Sequence, residues 1–296
     1  MPVFSKFLDY AQDTPAPDSP SVFGVRGIYD LPYVGDKNRV HMLDLYLPKG
    51  RRPMRPVILH VHGGAWSGGS RLYTRGYCAY LASAGFAVLS IDYTPAENAD
   101  LPTQVRDMIA AMRWIRTNAT VYGLDQNTVF LTGDSAGAHL AMLAYIVGHD
   151  STLRLLYGAQ DVPFTAKAFG LVSPVTDLRF VTEVILPQQR ALRSKLFGEA
   201  YADSPYRYCS SIADVLRPEM HLPPVWLVSS EDDFFKSQSA ELHHVLNRRN
   251  VENRFRFLTG SAEQPLGHGF AVLDPARTES KTVNDEMLAF FREKLK

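Results

Sequence analysis

Apolar residues change their spacing several times along the chain, and each change marks an element. Val40 to Leu47 (VHMLDLYL) alternates and is bounded by polar, Pro and Gly positions, the pattern of a half-buried strand. From Pro56 onward the alternation gives way to continuous apolar runs: PVILHV ending at Val61, FAVLSI over Phe86 to Ile91 and TVFLT over Thr128 to Thr132. Such runs belong to strands covered on both faces, as in a parallel sheet. Between them, Tyr73 to Ala84 and Leu101 to Asn118 carry helical spacing, the second placing Val105, Ile109, Met112 and Ile115 on one face. Strand-helix alternation predicts right-handed βαβ crossovers.

The rhythm continues with a helix at Ala136 to Val147, strands at Ala168 to Val172 and Pro224 to Val228, a helix at Gln238 to Arg248 and a strand at Asn253 to Leu258. Ser280 to Leu295 sets Val283, Met287, Phe290 and Phe291 on one face of a closing amphipathic helix. The expected architecture is α/β: a mostly parallel, twisted sheet of about eight strands with helices on both faces. Residues 177–223 break the rhythm with mixed apolar and basic residues, several prolines and no strand signal, over more chain than an α/β connection needs. They predict a helical cap inserted over the sheet. Residues 1–38, with a Pro-rich opening, read as an N-terminal arm, and the whole of 1–296 as one domain.

Composition removes several function classes. Thirty-one basic and 31 acidic side chains cancel, which leaves no excess charge for gripping a phosphate backbone, so no nucleic-acid partner is expected. No window approaches the ~18 apolar residues of a membrane span. The first twenty residues lack the basic start, apolar stretch and cleavage site of a signal peptide, which makes the cytoplasm the expected location. Cys78 and Cys209 are too few for a disulfide framework and lie in no metal-ligand spacing; both read as buried structural thiols. A homodimer is left open.

Gly133-Asp134-Ser135-Ala136-Gly137 is a G-x-S-x-G placed directly after an apolar strand and directly before an Ala-rich helix, the context in which that pattern presents a nucleophilic serine. A serine on so tight a turn needs small neighbours, and the helix N-terminus behind it offers free N–H groups to an anion. Taken alone, the same five residues also read as a Gly-rich turn capped by Asp134 or Ser135.

His62-Gly63-Gly64-Ala65-Trp66 follows the strand PVILHV, where a loop of oxyanion donors belongs if Ser135 is a nucleophile. The donors are the N–H of Ala136 together with those of Gly64 and of Gly63 or Ala65, since spacing does not say which of the three points inward. His62 reads as a brace for that loop. His60 and His62 lack a third ligand at metal-site spacing, so no metal is expected.

The serine needs a base oriented by a carboxylate, in the chain order Ser, acid, His. Of the histidines after Ser135, His268 alone lies in a glycine-flanked loop after the last strand (Gly267-His268-Gly269-Phe270), and it is the candidate base. His139, one helical turn past Ser135, faces the sheet or a neighbour; His243 and His244 sit on a helix. The acid ends the strand PPVWLVSS, where Glu231-Asp232-Asp233 offers three carboxylates. Asp233 is the first candidate and Asp232 the second, because the chain needs two or three residues to clear the sheet edge.

The ordered set HGGAW, GDSAG, strand-end Asp and GHGF resembles the α/β-hydrolase fold, in particular carboxylesterases related to hormone-sensitive lipase, from about residue 40 to 295. Asp92-Tyr93 followed by Pro95-Ala96-Glu97 is similar to the D-Y-x-L-A-P-E stretch of that family. HGGAW in place of HGGG, and LDLYLP over Leu43 to Pro48, resemble the arylformamidase and feruloyl or acetylxylan esterase-like branch. The resemblance implies a cofactor-free hydrolase with a Ser135, His268 and Asp233 triad. Expected substrates are small, mostly uncharged carboxylic esters with short acyl chains. An N-formyl aromatic amide is the alternative, and a non-catalytic small-ligand binder the reading from another class. Trp66 and Tyr93 are the expected pocket walls, with Phe234, Phe235 and Phe270 flanking acid and base.

Overall fold

The computed structural model describes residues 24–36, 38–50, 54–182 and 187–295. Eight strands form one sheet: β1 Val25–Pro32, β2 Met42–Pro48, β3 Arg55–Val61, β4 Ala87–Ile91, β5 Leu124–Asp134, β6 Ala168–Val172, β7 Val225–Ser230 and β8 Asn253–Leu258, in the order β1-β2-β4-β3-β5-β6-β7-β8. β2 runs antiparallel to β1 and β4, and every pair from β4 through β8 is parallel. The expected sheet is therefore the observed one.

The helices are α1 Arg75–Ser83, α2 Leu101–Tyr122, α3 Ala136–His149, α4 Ser151–Tyr157, α5 Arg179–Thr182, α6 Pro187–Phe197, α7 Ile212–Val215, α8 Lys236–Arg248, α9 Phe270–Leu273 and α10 Thr278–Glu293. Alternate residues of the inner strands feed two cores. On β3, Val57, Leu59 and Val61 join the core that α2, α3 and α8 cover, while Ile58 joins the core under α1 and α10. α2 begins where the Asp100 carboxylate accepts the Thr103 N–H at 2.9 Å, and ends at Gly123 with φ 67°. It outruns its predicted end at Asn118 because no breaker occurs before that glycine.

Two elements depart from expectation. Val25–Pro32, inside the stretch read as an arm, is edge strand β1; it is largely exposed and mixes Arg26 and Asp30 with apolar residues, so VRGIYDLP shows no apolar run. The remainder of that stretch up to residue 23, and residue 37, lie outside the described residues. β5 starts at Leu124 rather than Thr128: Leu124 and Asp125 pair with Arg55 and Pro56 before an irregularity in the ladder hides the strand behind polar residues.

Across 177–223 the described residues form α5, α6, two 3-10 turns at Tyr201–Asp203 and Pro205–Tyr208, and α7. An open groove of about 720 Å³ separates α6 from residues 96–103. Lys195 on α6 crosses it to Glu97 at 2.7 Å. Cys78 is buried as expected, and burial pushes its thiol up to about 12. Cys209 is only half-buried, because it closes a surface 3-10 turn and donates to the Pro205 carbonyl at 3.2 Å.

Candidate active site

The predicted residues follow the C-terminal ends of the parallel strands β3, β4, β5, β7 and β8. β5 ends at Asp134, α3 begins at Ala136, and Ser135 joins them with φ 53° and ψ −121°, a conformation costly for a residue with a Cβ. The flanking glycines explain how so sharp a turn packs. A Cβ on Gly137 would stand 2.1 Å from the Val61 carbonyl oxygen, and one on Gly133 would stand 2.6 Å from the Gly137 carbonyl carbon. The turn is thus pressed against the end of β3 and against itself. Ser135 N–H donates to Val172 O at 3.1 Å, which ties it to β6. Its hydroxyl is covered and has no hydrogen-bond partner among the described residues.

The glycine loop lies against this turn. A Cβ on Gly63 would stand 3.1 Å from the Ser135 Cβ. Gly63 N–H donates to Asp134 Oδ1 at 3.0 Å, so that donor already has a partner. Gly64, Ala65 and Trp66 follow with φ of 124°, 55° and 60°. Ala136 is the first residue of α3, and its N–H has no acceptor within the helix.

Asp233, after β7, and His268, after β8, meet. Asp233 is buried two residues past the Glu231 turn; its Oδ1 accepts His268 Nδ1–H at 2.7 Å and Phe235 N–H at 2.8 Å, and Oδ2 accepts the Ser229 hydroxyl at 2.8 Å. Burial pushes this carboxyl up, but the His268 charge and hydrogen bond, with the Phe235 N–H and the Ser173 hydroxyl, outweigh it and bring the pKa down to about 2. Donation from Nδ1 leaves His268 Nε2 as the basic nitrogen. Asp232 is exposed, and its Oδ2 accepts Leu266 N–H at 2.9 Å, bracing the loop that carries His268. Glu231 is exposed and pairs with Lys236. Phe234 stacks on the His268 ring at 4.4 Å and Phe235 meets it edge-on at 5.8 Å.

Trp66 and Tyr93, expected as pocket walls, are wholly or almost wholly buried and pack as supports. The Tyr93 ring stacks on His62 at 4.5 Å and its hydroxyl donates to the His62 carbonyl at 3.3 Å. The Trp66 carbonyl accepts the Ala96 N–H and the Gln104 amide, both at 2.8 Å. Its indole N–H donates to His139 Nδ1 at 3.2 Å. His62 lies 3.6 Å from Asp92, whose carboxylate also takes the Arg71 N–H at 2.7 Å and the Arg71 guanidinium. That guanidinium reaches Asp44 on β2 at 3.0 Å and Asp30 on β1, so one arginine ties the edge hairpin to the glycine loop.

Local spacing gave no reason to single out Asp134, Ser173 or His139. Asp134 stood inside the serine motif; Ser173, whose hydroxyl accepts the Gly269 N–H at 3.0 Å, follows β6 and had no signal. Phe180 on α5 stacks against Trp66 at 6.4 Å and tilts against Phe235 at 5.0 Å, joining 177–223 to both halves of the site. Among the described residues, no group of three or more His, Cys, Asp or Glu is placed to hold a metal, and no helix is long and apolar enough to cross a membrane.

The BD-FAE family model matches residues 43–246. Among curated proteins the chain is similar to esterase LipQ of Mycobacterium tuberculosis, 31% identical over 215 residues that cover 69% of this chain and 48% of LipQ. Esterase LipC of the same organism is 34% identical over 295 residues, covering 91% of this chain and 68% of LipC. The chain thus spans about half to two thirds of the length of these relatives. Esterase B of Lactobacillus rhamnosis superposes with a TM-score of 0.84 at 30% identity, covering 98% of this chain and 91% of its own, and it has also been solved in a form inhibited by a C4-C4 tributyrin phosphonate. The family match runs from β2 into α8 and contains the glycine loop, the serine turn and Asp233, so the chain belongs to the BD-FAE family and has the α/β-hydrolase fold of the esterases it resembles.

Proposed function

We propose that the protein is a serine carboxylesterase acting on small esters with short acyl chains, with Ser135 as nucleophile, His268 as general base and Asp233 as the orienting carboxylate. The observation that carries this reading is the 2.7 Å hydrogen bond from His268 Nδ1 to buried Asp233, which follows β7 in the same sheet whose strand β5 leads into a serine on a strained strand-to-helix turn. His268 Nε2 takes the proton of Ser135 Oγ as that oxygen attacks the carbonyl carbon, and returns it to the departing alcohol. Water then attacks the acyl-enzyme by the same route, and Asp233 stabilises each imidazolium.

The carbonyl oxygen becomes an anion in both steps. Its donors are the N–H groups of Gly64, Ala65 and Ala136; Gly63 is withdrawn from the set because its N–H is held by Asp134. Residues 177–223 act as the cap, with Phe180 bringing them against Trp66 and Phe235. The aromatic cover of Phe180, Phe234 and Phe235, the neutral net charge and the tributyrin-derived inhibitor carried by esterase B support a short, uncharged acyl group.

The test is hydrolysis of p-nitrophenyl esters from acetate to decanoate, beside N-formylkynurenine, by wild type and Ser135→Ala. Ester turnover that peaks at short chains and disappears in Ser135→Ala is the expected result. Strong preference for the formyl amide would replace esterase by formamidase, and no Ser135-dependent turnover of either would leave a binding protein.

A further inference from the structure

His139 lies on α3 one turn past Ser135 and its side chain is fully buried. Both of its ring nitrogens are used, and the chemistry of the partners fixes how. The indole of Trp66 can only donate, so Nδ1 accepts at 3.2 Å; the carbonyl of Ser210 can only accept, so Nε2–H donates at 2.7 Å. Burial, opposed by the Ser210 carbonyl, brings the imidazole down to about 4, which keeps it in that neutral form.

The two partners belong to different parts of the molecule. Trp66 ends the run Gly64-Ala65-Trp66, three consecutive residues at positive φ of which only the first is glycine. Backbone in that region persists only where its surroundings hold it. The Trp66 carbonyl is held by Ala96 and Gln104, and its indole by His139. Ser210 belongs to 177–223 and is itself fixed from both sides: Tyr157 donates to the Cys209 carbonyl at 2.6 Å, and the Ser211 hydroxyl accepts Leu178 N–H at 2.8 Å.

We propose that His139 is a positioning residue that fixes the oxyanion loop through the Trp66 indole and registers that loop against the 177–223 segment through Ser210. The inference rests on the reading of Ser135 as nucleophile and of Gly64 and Ala65 as donors. A hydrogen bond one residue beyond Ala65 and two beyond Gly64 sets their aim, and aim matters only when the carbonyl oxygen becomes an anion. Loss of the bond therefore acts on the transition state and leaves ground-state binding in place.

The experiment compares wild type, His139→Phe, Trp66→Phe, the double variant and His139→Gln with p-nitrophenyl butyrate and with a trifluoromethyl ketone that mimics the tetrahedral adduct. His139→Phe and Trp66→Phe should each lower kcat on the order of 10- to 100-fold, less than complete loss of a donor, with KM nearly unchanged and inhibitor affinity reduced in proportion. The double variant should be no worse than His139→Phe alone. Gln, which offers both an acceptor and a donor, should restore much of the rate. Trp66→Phe keeps the Ser210 bond, so it reads the same interaction if His139→Phe does not fold. Wild-type kcat in Trp66→Phe, a rise in KM alone, or additive losses would overturn the inference while Ser135→Ala remains inactive. Full turnover by Ser135→Ala would overturn the parent reading and the inference together.

Discussion

Asp134 and Gly63 are joined by one hydrogen bond, from the Gly63 N–H to Asp134 Oδ1 at 3.0 Å, and through it the serine turn holds the glycine loop. The residue before the serine therefore has a task of its own. Asp134→Ala strands a buried N–H and should lower kcat on the order of tenfold or more, with a loss of about 1–3 kcal/mol in stability. Asp134→Asn keeps an acceptor oxygen and should retain most of the activity. Steady-state kinetics with a thermal melt check both; equal behaviour of the two variants would show that the bond does not matter.

Asp233 and Asp232 are adjacent, yet only Asp233 meets His268. Asp233→Asn should reduce kcat on the order of 10⁴-fold, because an amide favours the wrong imidazole tautomer. Asp232→Asn can still accept the Leu266 N–H and should stay near wild type. Parallel kinetics decide, and a larger loss in the Asp232 variant would reassign the acid.

Gly137 has no room for a side chain. The added methyl of Gly137→Ala would meet the Val61 and His62 carbonyl oxygens at 2.1 and 2.4 Å, both of them backbone. Overpacking of this kind costs about 1–3 kcal/mol or more. A fall of several degrees in Tm, with activity lost alongside, is the expected melt and assay; an unchanged Tm would contradict the close approach of α3 to β3.

Acid should unfold the protein through its buried imidazoles. Burial, with the nearby His62 charge adding to it, brings His60 down to about 3, and burial brings His139 to about 4. Unfolded histidine takes its proton near about pH 6.5. Stability is therefore complete above about pH 6.5 and falls below it by about 1.4 kcal/mol per pH unit for each imidazole. Asp233 adds a loss in the same direction, but only from about pH 3.9 downward toward its folded value. Urea midpoints measured from pH 7 to pH 4 should decline, and His139→Gln should flatten part of that decline. Midpoints that hold level over this range would refute the assignment.

The strands that are buried on both faces were legible because burial on two sides leaves few polar positions to interrupt the run, as in PVILHV and TVFLT. β1 was not, since an edge strand needs apolar side chains on one face at most and VRGIYDLP mixes both. Ser135, Asp233 and His268 stand out in the sequence for a related reason: each sits at a chain reversal, and reversals carry glycines or successive carboxylates. What Trp66 and Tyr93 pack against is not legible in the same way. Their partners, His139 and His62, are 73 and 31 residues away, and pattern within a window carries no trace of such pairings.

Ser135 is held at φ 53° and ψ −121°, where any residue but glycine is strained by about 1–3 kcal/mol. On the proposed mechanism, a glycine in its place would relieve that strain and give a hardier protein that does no chemistry. Natural drift toward stability and retention of the reaction therefore pull in opposite directions at this one position, and a laboratory selection for heat resistance alone should discard the hydroxyl early.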